Sequence, residues 1–230
     1  MATYAELQAE TLLLVIDTPT AVQNLVPSMV RRAVRKLQVK HNFKCMEAET
    51  TFITASLNRT LGDRPTDWKM PRGNPYYIEQ LGQTRDLQWV SARADAQARW
   101  GTSTDFDYGR PQGVYEDDLS QVFTVYPFPD TLSDYSDGNY RVTVPYWKYL
   151  GNLIAPGDTN WFSDNADEFI VYTAASDCFY ANEDETRAQL WKTRAQMEYK
   201  DIVMVDKDRR LGETQQLVPH LGAYKPHTQE

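Results

Sequence analysis

The fold is decided by residues 163–208, which read SDNADEFIVYTAASDCFYANEDETRAQLWKTRAQMEYKDIVMVDKD. In the first half of this stretch, apolar and aromatic side chains recur every three or four residues, which is the period of one face of an α-helix. Ser163 is a suitable N-cap for that helix. Its stripe consists of Phe169, Tyr172, Thr173, Ser176, Phe179 and Tyr180.

The second half of the stretch predicts another helix, which ends near Asp208. The break between the two helices, residues 182–184, is only Asn-Glu-Asp. A connection this short favours an antiparallel helical hairpin. The stripe of the second helix consists of Ala188, Trp191, Ala195, Tyr199 and Ile202.

The N-terminal residues 3–40 predict two further helices. Thr3 and Glu6 have the spacing of a capping box, and Pro19 interrupts the pattern. The second helix begins near Pro27, a residue that suits a first turn. Its outer face is basic, which indicates either a solvated surface or contact with an acidic partner or DNA phosphate. The basic residues are Arg31, Arg32, Arg35 and Lys36, followed by Lys40.

The middle of the chain predicts short strands and long loops. Residues 43–48 and 50–54 are rich in β-branched and aromatic residues, and residues 140–144 alternate between polar and apolar. Gly138 lies in a turn before the last of these runs. Residues 87–90 and 121–126 are also predicted strands, and residues 91–100 a short helix.

The predicted fold class is therefore α+β. Residues 1–42 and 160–210 form an α-helical bundle of two N-terminal helices plus the C-terminal hairpin, and residues 43–159 form a β-rich insertion with long loops. Residues 211–230 have no periodicity and contain scattered large apolar residues. A segment of this kind cannot form its own core, so we expect an extended arm that orders on a partner.

Composition argues against general nucleic-acid binding. The formal net charge is −8, whereas a phosphate-binding protein needs an excess of cations. An acidic surface is nevertheless compatible with DNA that must slide past without sticking. Aromatic residues make up 12% of the chain, with fourteen Tyr and six Trp, and such residues suit surfaces buried against another chain.

The sequence predicts neither a metal site nor a membrane span. Cys45 and Cys178 are far apart, and no Cys/His cluster has zinc-ligand spacing. The longest apolar run near the N-terminus, Leu12–Ile16, is too short to cross a bilayer. We expect no cofactor and no membrane partner.

No catalytic residue is assigned, and we expect the protein not to be an enzyme. His41 and Cys45 are the one sequence-close pair of a base and a thiol, but a helix-to-strand junction gives no reason to expect them to align. Residues 105–137 hold eight acids, two of which could serve a glycoside hydrolase, although a solvated acidic loop is the usual meaning.

The order of these elements resembles the head-to-tail adaptor family of tailed phages. The resemblance is strongest over Asp167–Asp208 and covers nearly the whole chain, except residues 76–101 and 130–138. The other similar phrases are Tyr4-Ala5-Glu6-Leu7-Gln8, the basic helix Val26–Leu37, Arg64-Pro65-Thr66-Asp67-Trp68, Gly109-Arg110-Pro111 with Val122–Pro129, and Tyr146 with Thr159-Asn160-Trp161-Phe162.

The resemblance implies a structural virion protein of the neck, assembled in the host cytoplasm. Such adaptors form a ring, usually of twelve copies, beneath the portal protein. They link the portal to a tail or nozzle protein and line a channel through which genomic DNA passes without sequence specificity. The C-terminal arm reaches the portal, and its expected portal-binding residues are Leu217, Val218, Leu221 and Tyr224.

Three alternatives stay open at this point. The chain could be a tail-tube gatekeeper or another ring protein of the neck. It could be a neck protein that also degrades cell wall as a glycoside hydrolase. It could also be an unrelated carbohydrate-binding module built on the aromatic-rich residues 43–150.

Overall fold

The computed structural model describes residues 2–55, 58–79, 83–100, 108–117, 119–130 and 138–216, with the side chains of 211–216 excepted. The chain separates into two compact units, Met1–Cys45 with Leu150–Glu230 and Met46–Tyr149. The first unit is helical, and the second is built mainly of strands. The predicted α+β fold with a β-rich insertion is confirmed.

Seven α-helices lie within the described residues, and all but the fourth belong to the helical unit. A short 3-10 helix, Lys44–Met46, follows the third. The α-helices are α1 Tyr4–Leu14, α2 Thr20–Gln23, α3 Val26–Lys40, α4 Arg93–Trp100, α5 Trp161–Asn165, α6 Asp167–Ala181 and α7 Glu185–Gln216.

The helix α6 lies at the centre of the helical unit, where α1, α3 and α7 pack against it. It is apolar around most of its circumference, which is the property of a helix buried on several sides. Ile170 and Phe179 on α6 are buried with Leu7 of α1 and Leu37 of α3. Burial of such side chains is the main stabilising contribution to this unit.

The predicted start signals of the N-terminal helices are confirmed. The amide of Glu6 donates to Thr3 Oγ1 at 3.3 Å, and the amide of Thr3 donates to Glu6 Oε2 at 2.7 Å, which completes the capping box. The hydrogen bond from the Thr3 backbone also holds the pKa of Glu6 below its ordinary value. Pro27 lies in the first turn of α3. A backbone N–H has no helical acceptor at this position, so the lack of an N–H in proline costs nothing there.

The predicted hairpin is confirmed, but its predicted N-cap is wrong. The cap lies at Asn160, whose side chain accepts from the amides of Phe162 and Ser163 and starts the separate short helix α5. Ser163 instead occupies the third helical position, and its Oγ accepts from the Asn160 amide at 3.0 Å. Two capping-competent residues three positions apart form a reciprocal box, so the more N-terminal one is the cap.

The predicted end of the last helix near Asp208 is also wrong, since α7 continues to Gln216. Residues 211–216, which the sequence assigned to the extended arm, are therefore helical. The helix passes through Gly212 because a glycine in a helix interior costs only about 1 kcal/mol. The first proline after the hairpin, Pro219, comes later in the chain. The remaining arm residues lie outside the described residues.

The strands of the second unit form two principal sheets and one short pair. The first sheet has the order β1-β11-β4-β5, with β3 also paired to β11, and the second has the order β2-β9-β8-β6. Strands β7 and β10 pair with each other. The strands are β1 Glu47–Ile53, β2 Thr60–Asp63, β3 Trp68–Pro71, β4 Tyr76–Ile78, β5 Thr84–Asp86, β6 Gln88–Val90, β7 Tyr108–Gly109, β8 Gly113–Asp117, β9 Val122–Tyr126, β10 Phe128–Pro129 and β11 Arg141–Lys148.

An aromatic cluster fills the core of the β-rich unit. Trp68 stacks on Tyr146 with ring centroids 5.0 Å apart, and the Phe123 ring also lies 5.0 Å from the Trp68 ring. Val142 and Val144 of β11 are fully buried beside them, in the alternation that the sequence predicts. Tyr146 donates from its hydroxyl to Asp67 Oδ1 at 2.9 Å, so its polar tip is satisfied.

The strand prediction for residues 43–48 is wrong at its start. Phe43 packs against Trp161 and Phe162 in the helical unit, with ring centroids 5.7 and 5.2 Å away, and residues 44–46 form the 3-10 helix. Tertiary packing here overrides a β-favouring sequence. The predicted short helix within residues 91–100 is confirmed as α4, and Gly138 has the positive φ, 71°, expected of its turn.

Candidate partner interface on the helical unit

The basic helix α3 is strongly amphipathic. Its buried face consists of Val26, Val30, Ala33, Val34 and Leu37, all of which belong to the core. The helical period therefore turns Arg31, Arg32 and Arg35 outward, and all three are exposed. These residues are available to an acidic partner or to DNA phosphate.

Lys36, the fourth predicted basic residue, ties two helices together. Its Nζ donates to both carboxylate oxygens of Asp177 on α6, at 2.6 and 2.8 Å. The Asp177 side chain is only 15% exposed. Arg32 Nε lies 3.9 Å from the same carboxylate, but the Arg32 side chain is 64% exposed. The Lys36–Asp177 pair thus stabilises the packing of α3 on α6, and Lys36 has little freedom to bind a partner.

A groove of about 310 Å³ lies where α3, α6 and α7 meet, and we call it the basic groove. Lys40 Nζ is 5.4 Å from the centroid of the Tyr199 ring, and Lys192 Nζ is 5.9 Å from that of Tyr180. Cation–π contacts of this kind hold ammonium groups over aromatic faces while leaving their donors available. The groove is lined by Lys36, Lys40, Phe169, Thr173, Ser176, Asp177, Tyr180, Lys192, Ala195, Gln196 and Tyr199.

The basic surface continues along α3 beyond the groove. A shallow depression of about 470 Å³ is lined by Arg32, Arg35, Lys36, Val39 and Lys40. Val39 is 59% exposed between these cations. Neither Arg35 nor Lys40 makes an ion pair with any residue that the structure describes. This surface therefore carries positive charge that the helical unit does not neutralise.

The opposite side of the α6–α7 hairpin is acidic, and we call the cluster Asp167, Glu168, Glu198 and Asp201 the acidic side. Burial, and then the neighbouring carboxylates of Glu168 and Asp201, raise the pKa of Glu198. The hydroxyl of Tyr172 donates to Glu168 Oε2 at 3.4 Å. These groups disfavour one another's negative charge, which indicates a surface that is electrostatically unfavourable while it faces water.

Aromatic side chains lie beside the carboxylates of the acidic side. The rings of Tyr172 and Trp191 lie 5.3 Å apart, and the Arg194 guanidinium lies 4.7 Å from the Trp191 centroid. Burial, and then the nearby carboxylates of Glu168 and Glu198, raise the pKa of Tyr172, whereas the positive charge of Arg194 opposes this rise. One arginine does not balance four carboxylates.

Between the two charged sides, α7 exposes a row of apolar residues. Leu190, Met197 and Met204 are 51%, 60% and 64% exposed, and they recur at intervals of seven residues. Seven residues are close to two helical turns, so these side chains lie along one line on the helix. Flexible Met side chains in exposed rows suit contacts with another protein surface.

The buried carboxylate of Asp206 fixes the C-terminal part of α7. It is 3% exposed and accepts from the backbone amide of Lys44 at 2.8 Å. His41 Nε2 and Arg210 lie 3.1 Å from its Oδ2, and Arg210 also donates to the carbonyl of Asn42. These contacts hold α7 on the segment after α3, just before the helix leads into the C-terminal residues.

The described residues offer little catalytic chemistry. The His41 ring packs edge-on against Phe43 at 4.5 Å and is engaged by Asp206, which gives it a structural role. Burial raises the pKa of the Cys178 thiol to about 11, so this cysteine is a poor nucleophile at neutral pH. Within the part of the chain that the structure describes, no cluster of three potential metal ligands occurs.

The expected portal-binding residues Leu217, Val218, Leu221 and Tyr224 lie outside the described residues. Sequence reasoning found the exposed arginines of α3 but missed the groove and the acidic side. The helical period of α7 contains the signal, since Lys192, Gln196 and Tyr199 fall on one flank. The opposite flank holds Trp191, Arg194, Glu198 and Asp201.

Comparison with known protein families identifies the chain. A family model described as SU10 adaptor protein matches residues 2–218. The chain belongs to the SU10 adaptor protein family. It is therefore a structural adaptor of the bacteriophage virion, as the sequence resemblance implies, and adaptors of this kind interact with other neck proteins such as the portal and tail. No curated protein matches the chain.

The SU10 adaptor match covers both structural units. It begins with the residues before α1 and ends at residue 218, just past the end of α7. Among the described residues of this adaptor, no helix combines the length and the apolar character that a membrane span requires.

Proposed function

We propose that this adaptor forms a ring, of about twelve copies in the manner its family resemblance implies, beneath the portal of a phage neck. The ring links the portal to a tail or nozzle protein. The observation that carries the proposal is the family match across residues 2–218. The two unlike charged sides of the α6–α7 hairpin add support, because a closed ring needs two different contact surfaces on each copy.

The C-terminal residues supply the portal contact in this proposal. Leu217, Val218, Leu221 and Tyr224 follow directly on α7, whose C-terminal part is held by Asp206. A segment that leaves a fixed helix and carries spaced apolar anchors can lie along a second protein and bury those anchors there.

The ring also encloses the path of the genome in this proposal. The chain carries a net charge of −8, and a channel of that sign repels DNA and lets it pass without sequence-specific contact. The exposed arginines of α3 are then directed at protein neighbours. The β-rich unit faces the next tail component, assembly takes place in the host cytoplasm, and the adaptor works without catalysis or cofactor.

Electron microscopy of portal rings with and without added adaptor tests this function. We expect class averages of the mixture to show an additional ring on one end of the portal, with the same rotational symmetry throughout. A variant that ends at Gln216 keeps all of α7 and removes the four anchors, so we expect it to leave the portal bare. An unchanged portal in the presence of the full chain would contradict the proposed function.

A further inference from the structure

We propose that the basic groove of one copy receives the acidic side of the α6–α7 hairpin of the next copy. This inference rests on the proposed ring, and it identifies the two surfaces that join its subunits. Both surfaces include residues of α6 and α7, and α3 adds Lys36 and Lys40 to the groove. The helical period places Lys192 and Glu198 on different flanks of α7. Repeating such a contact around an axis closes a ring.

Two of the three lysines that line the groove carry charges that are not paired with an acid of the described residues. Lys40 and Lys192 make no ion pair with the residues that the structure describes, and their ammonium groups rest over the rings of Tyr199 and Tyr180. Asp177 is already engaged by Lys36. The groove therefore keeps two ammonium groups available to an anionic side chain.

The carboxylates of the acidic side carry negative charge that a positively charged neighbour would stabilise. Glu198 is half-buried and lies near the carboxylates of Glu168, Asp201 and Asp167, and the Arg194 guanidinium lies over the neighbouring Trp191 ring. Negative charge crowded in this way is unfavourable in the free subunit. It becomes favourable when a neighbour brings ammonium groups into the same partly desolvated space.

The two surfaces share one level along α7. Lys40 lies over the ring of Tyr199, and the Cα atoms of Tyr199 and its neighbour Glu198 differ by about 1.5 Å along the helix axis. A neighbour generated by rotation about an axis roughly parallel to α7 thus presents its Glu198 at the level of Lys40. The same contact covers one edge of the exposed apolar row.

Overall charge explains why the contact must be local. Copies with a net charge of −8 repel one another at long range, so a ring needs surfaces whose charges are opposite at close range. Aromatic residues flank both surfaces, with Tyr180 and Tyr199 on the groove and Tyr172 and Trp191 on the acidic side. Tyrosine and tryptophan at the centre of an interface commonly carry much of its binding energy.

A charge-swap experiment tests the contact. The variants are Lys40→Glu, Glu198→Lys and the double variant, and Lys207→Glu is the control because Lys207 is exposed on α7 and absent from the groove lining. Each single reversal places like charges in every subunit contact, so we expect it to weaken the ring by about tenfold or more. The double variant restores opposite charges and should restore the ring, as should an equal mixture of the two single variants.

The readout is the number of adaptors bound per portal by native mass spectrometry, with circular dichroism melting to show that each variant folds. Full rings from both single variants would overturn the proposed contact while leaving the proposed function intact. Loss of portal binding even for the first copy of Lys40→Glu would mean that the portal occupies the groove, which also overturns it. If the unmodified chain forms no ring on the portal, the proposed function itself fails.

Discussion

The carboxylate of Asp206 near the end of α7 accepts a hydrogen bond from the backbone amide of Lys44, 162 residues earlier in the chain, at 2.8 Å. The same carboxylate faces His41 and Arg210. One buried side chain thus joins the segment that leaves α3 to the helix that leads to the C-terminal residues. The position of the proposed portal arm depends on this junction.

We expect Asp206→Ala to lower the free energy of unfolding by about 2–3 kcal/mol, because it removes a buried carboxylate that accepts from the Lys44 amide and pairs with Arg210. Urea denaturation followed by circular dichroism measures the change. Asp208→Ala is the matched control, since Asp208 is exposed on the same helix, and we expect a change within about 0.5 kcal/mol. Equal effects of the two substitutions would contradict the structural role of Asp206.

The ion pair between Lys36 and Asp177 predicts that neighbouring basic residues of α3 contribute differently to the stability of the fold. We expect Lys36→Met to destabilise the fold by about 1 kcal/mol, since it leaves a partly buried carboxylate without its partner. Arg35→Met removes an exposed cation and should leave stability unchanged within about 0.5 kcal/mol. Thermal melting of both variants checks the order. A loss for Lys36→Met that is no larger than the loss for Arg35→Met would contradict the stabilising role of the pair.

The packing of Trp100 against Gly113 gives a prediction for the β-rich unit. A Cβ at residue 113 would lie 2.6 Å from the Trp100 ring, and that ring also stacks on Tyr126 with centroids 6.0 Å apart. We expect Gly113→Ala to cost about 1–3 kcal/mol because the Trp100 ring must move out of its packed position. Gly151→Ala, which meets nothing within 4 Å, is the control and should be tolerated. Differential scanning calorimetry of the two variants measures the contrast.

The acidic side predicts a pH-dependent gain in stability. The pKa of Glu198 is raised in the folded state, so this group stabilises the fold at acid pH, and that contribution is lost as pH rises through the folded pKa. At pH 7 the ionised Glu198 faces its neighbours, and we expect Glu198→Gln to stabilise the isolated subunit by a few tenths of a kcal/mol. The gain should disappear near pH 4, where the carboxyl is protonated.

Glu185→Gln serves as the matched control, because Glu185 is an exposed residue in the first turn of α7. A favourable interaction with the helix dipole should make its replacement neutral or slightly destabilising at pH 7. Urea midpoints at both pH values provide the comparison. A loss of stability in Glu198→Gln at pH 7 would mean that the crowding of carboxylates is already relieved within the subunit.

Burial of Cys178 predicts slow chemistry at its thiol. Because burial raises its pKa to about 11, the thiolate is scarce at pH 8, and we expect labelling by a disulfide reagent to follow unfolding. A Cys45→Ser background makes Cys178 the one cysteine in the chain. Labelling should accelerate when urea is added. Rapid labelling of the native protein would contradict the buried, neutral thiol.

Local signals in the sequence predicted much of the helical unit. Thr3 with Glu6, Pro27 and the short break at residues 182–184 have chemistry that acts within one or two turns, and each predicted its element correctly. Asn160 was missed because Ser163 is itself a competent cap, and the choice between them depends on a reciprocal bond that spacing alone does not reveal. The helix α7 continues past the predicted end near Asp208 because Gly212 carries only a small helix penalty and no proline occurs before Pro219.

Tertiary contacts account for the remaining differences. Phe43 has a strand-favouring neighbourhood, yet its ring packs on Phe162, 119 residues away in the chain. Lys36 and Arg35 are adjacent and both positively charged. Lys36 has a structural role because Asp177 lies beside it on another helix, whereas Arg35 remains available to a partner. The acidic side likewise exists because α6 and α7 bring Glu168 and Glu198 together. Such pairings need the packed fold, and no periodicity in one helix contains them.

The central claim is that this adaptor assembles as a ring on the portal, and the mass of the complex tests it most directly. Native mass spectrometry of the chain alone and with its portal gives the number of copies bound. We predict a fixed number close to twelve per portal, with no partly filled rings at saturation. An adaptor that stays monomeric in the presence of excess portal would contradict the claim.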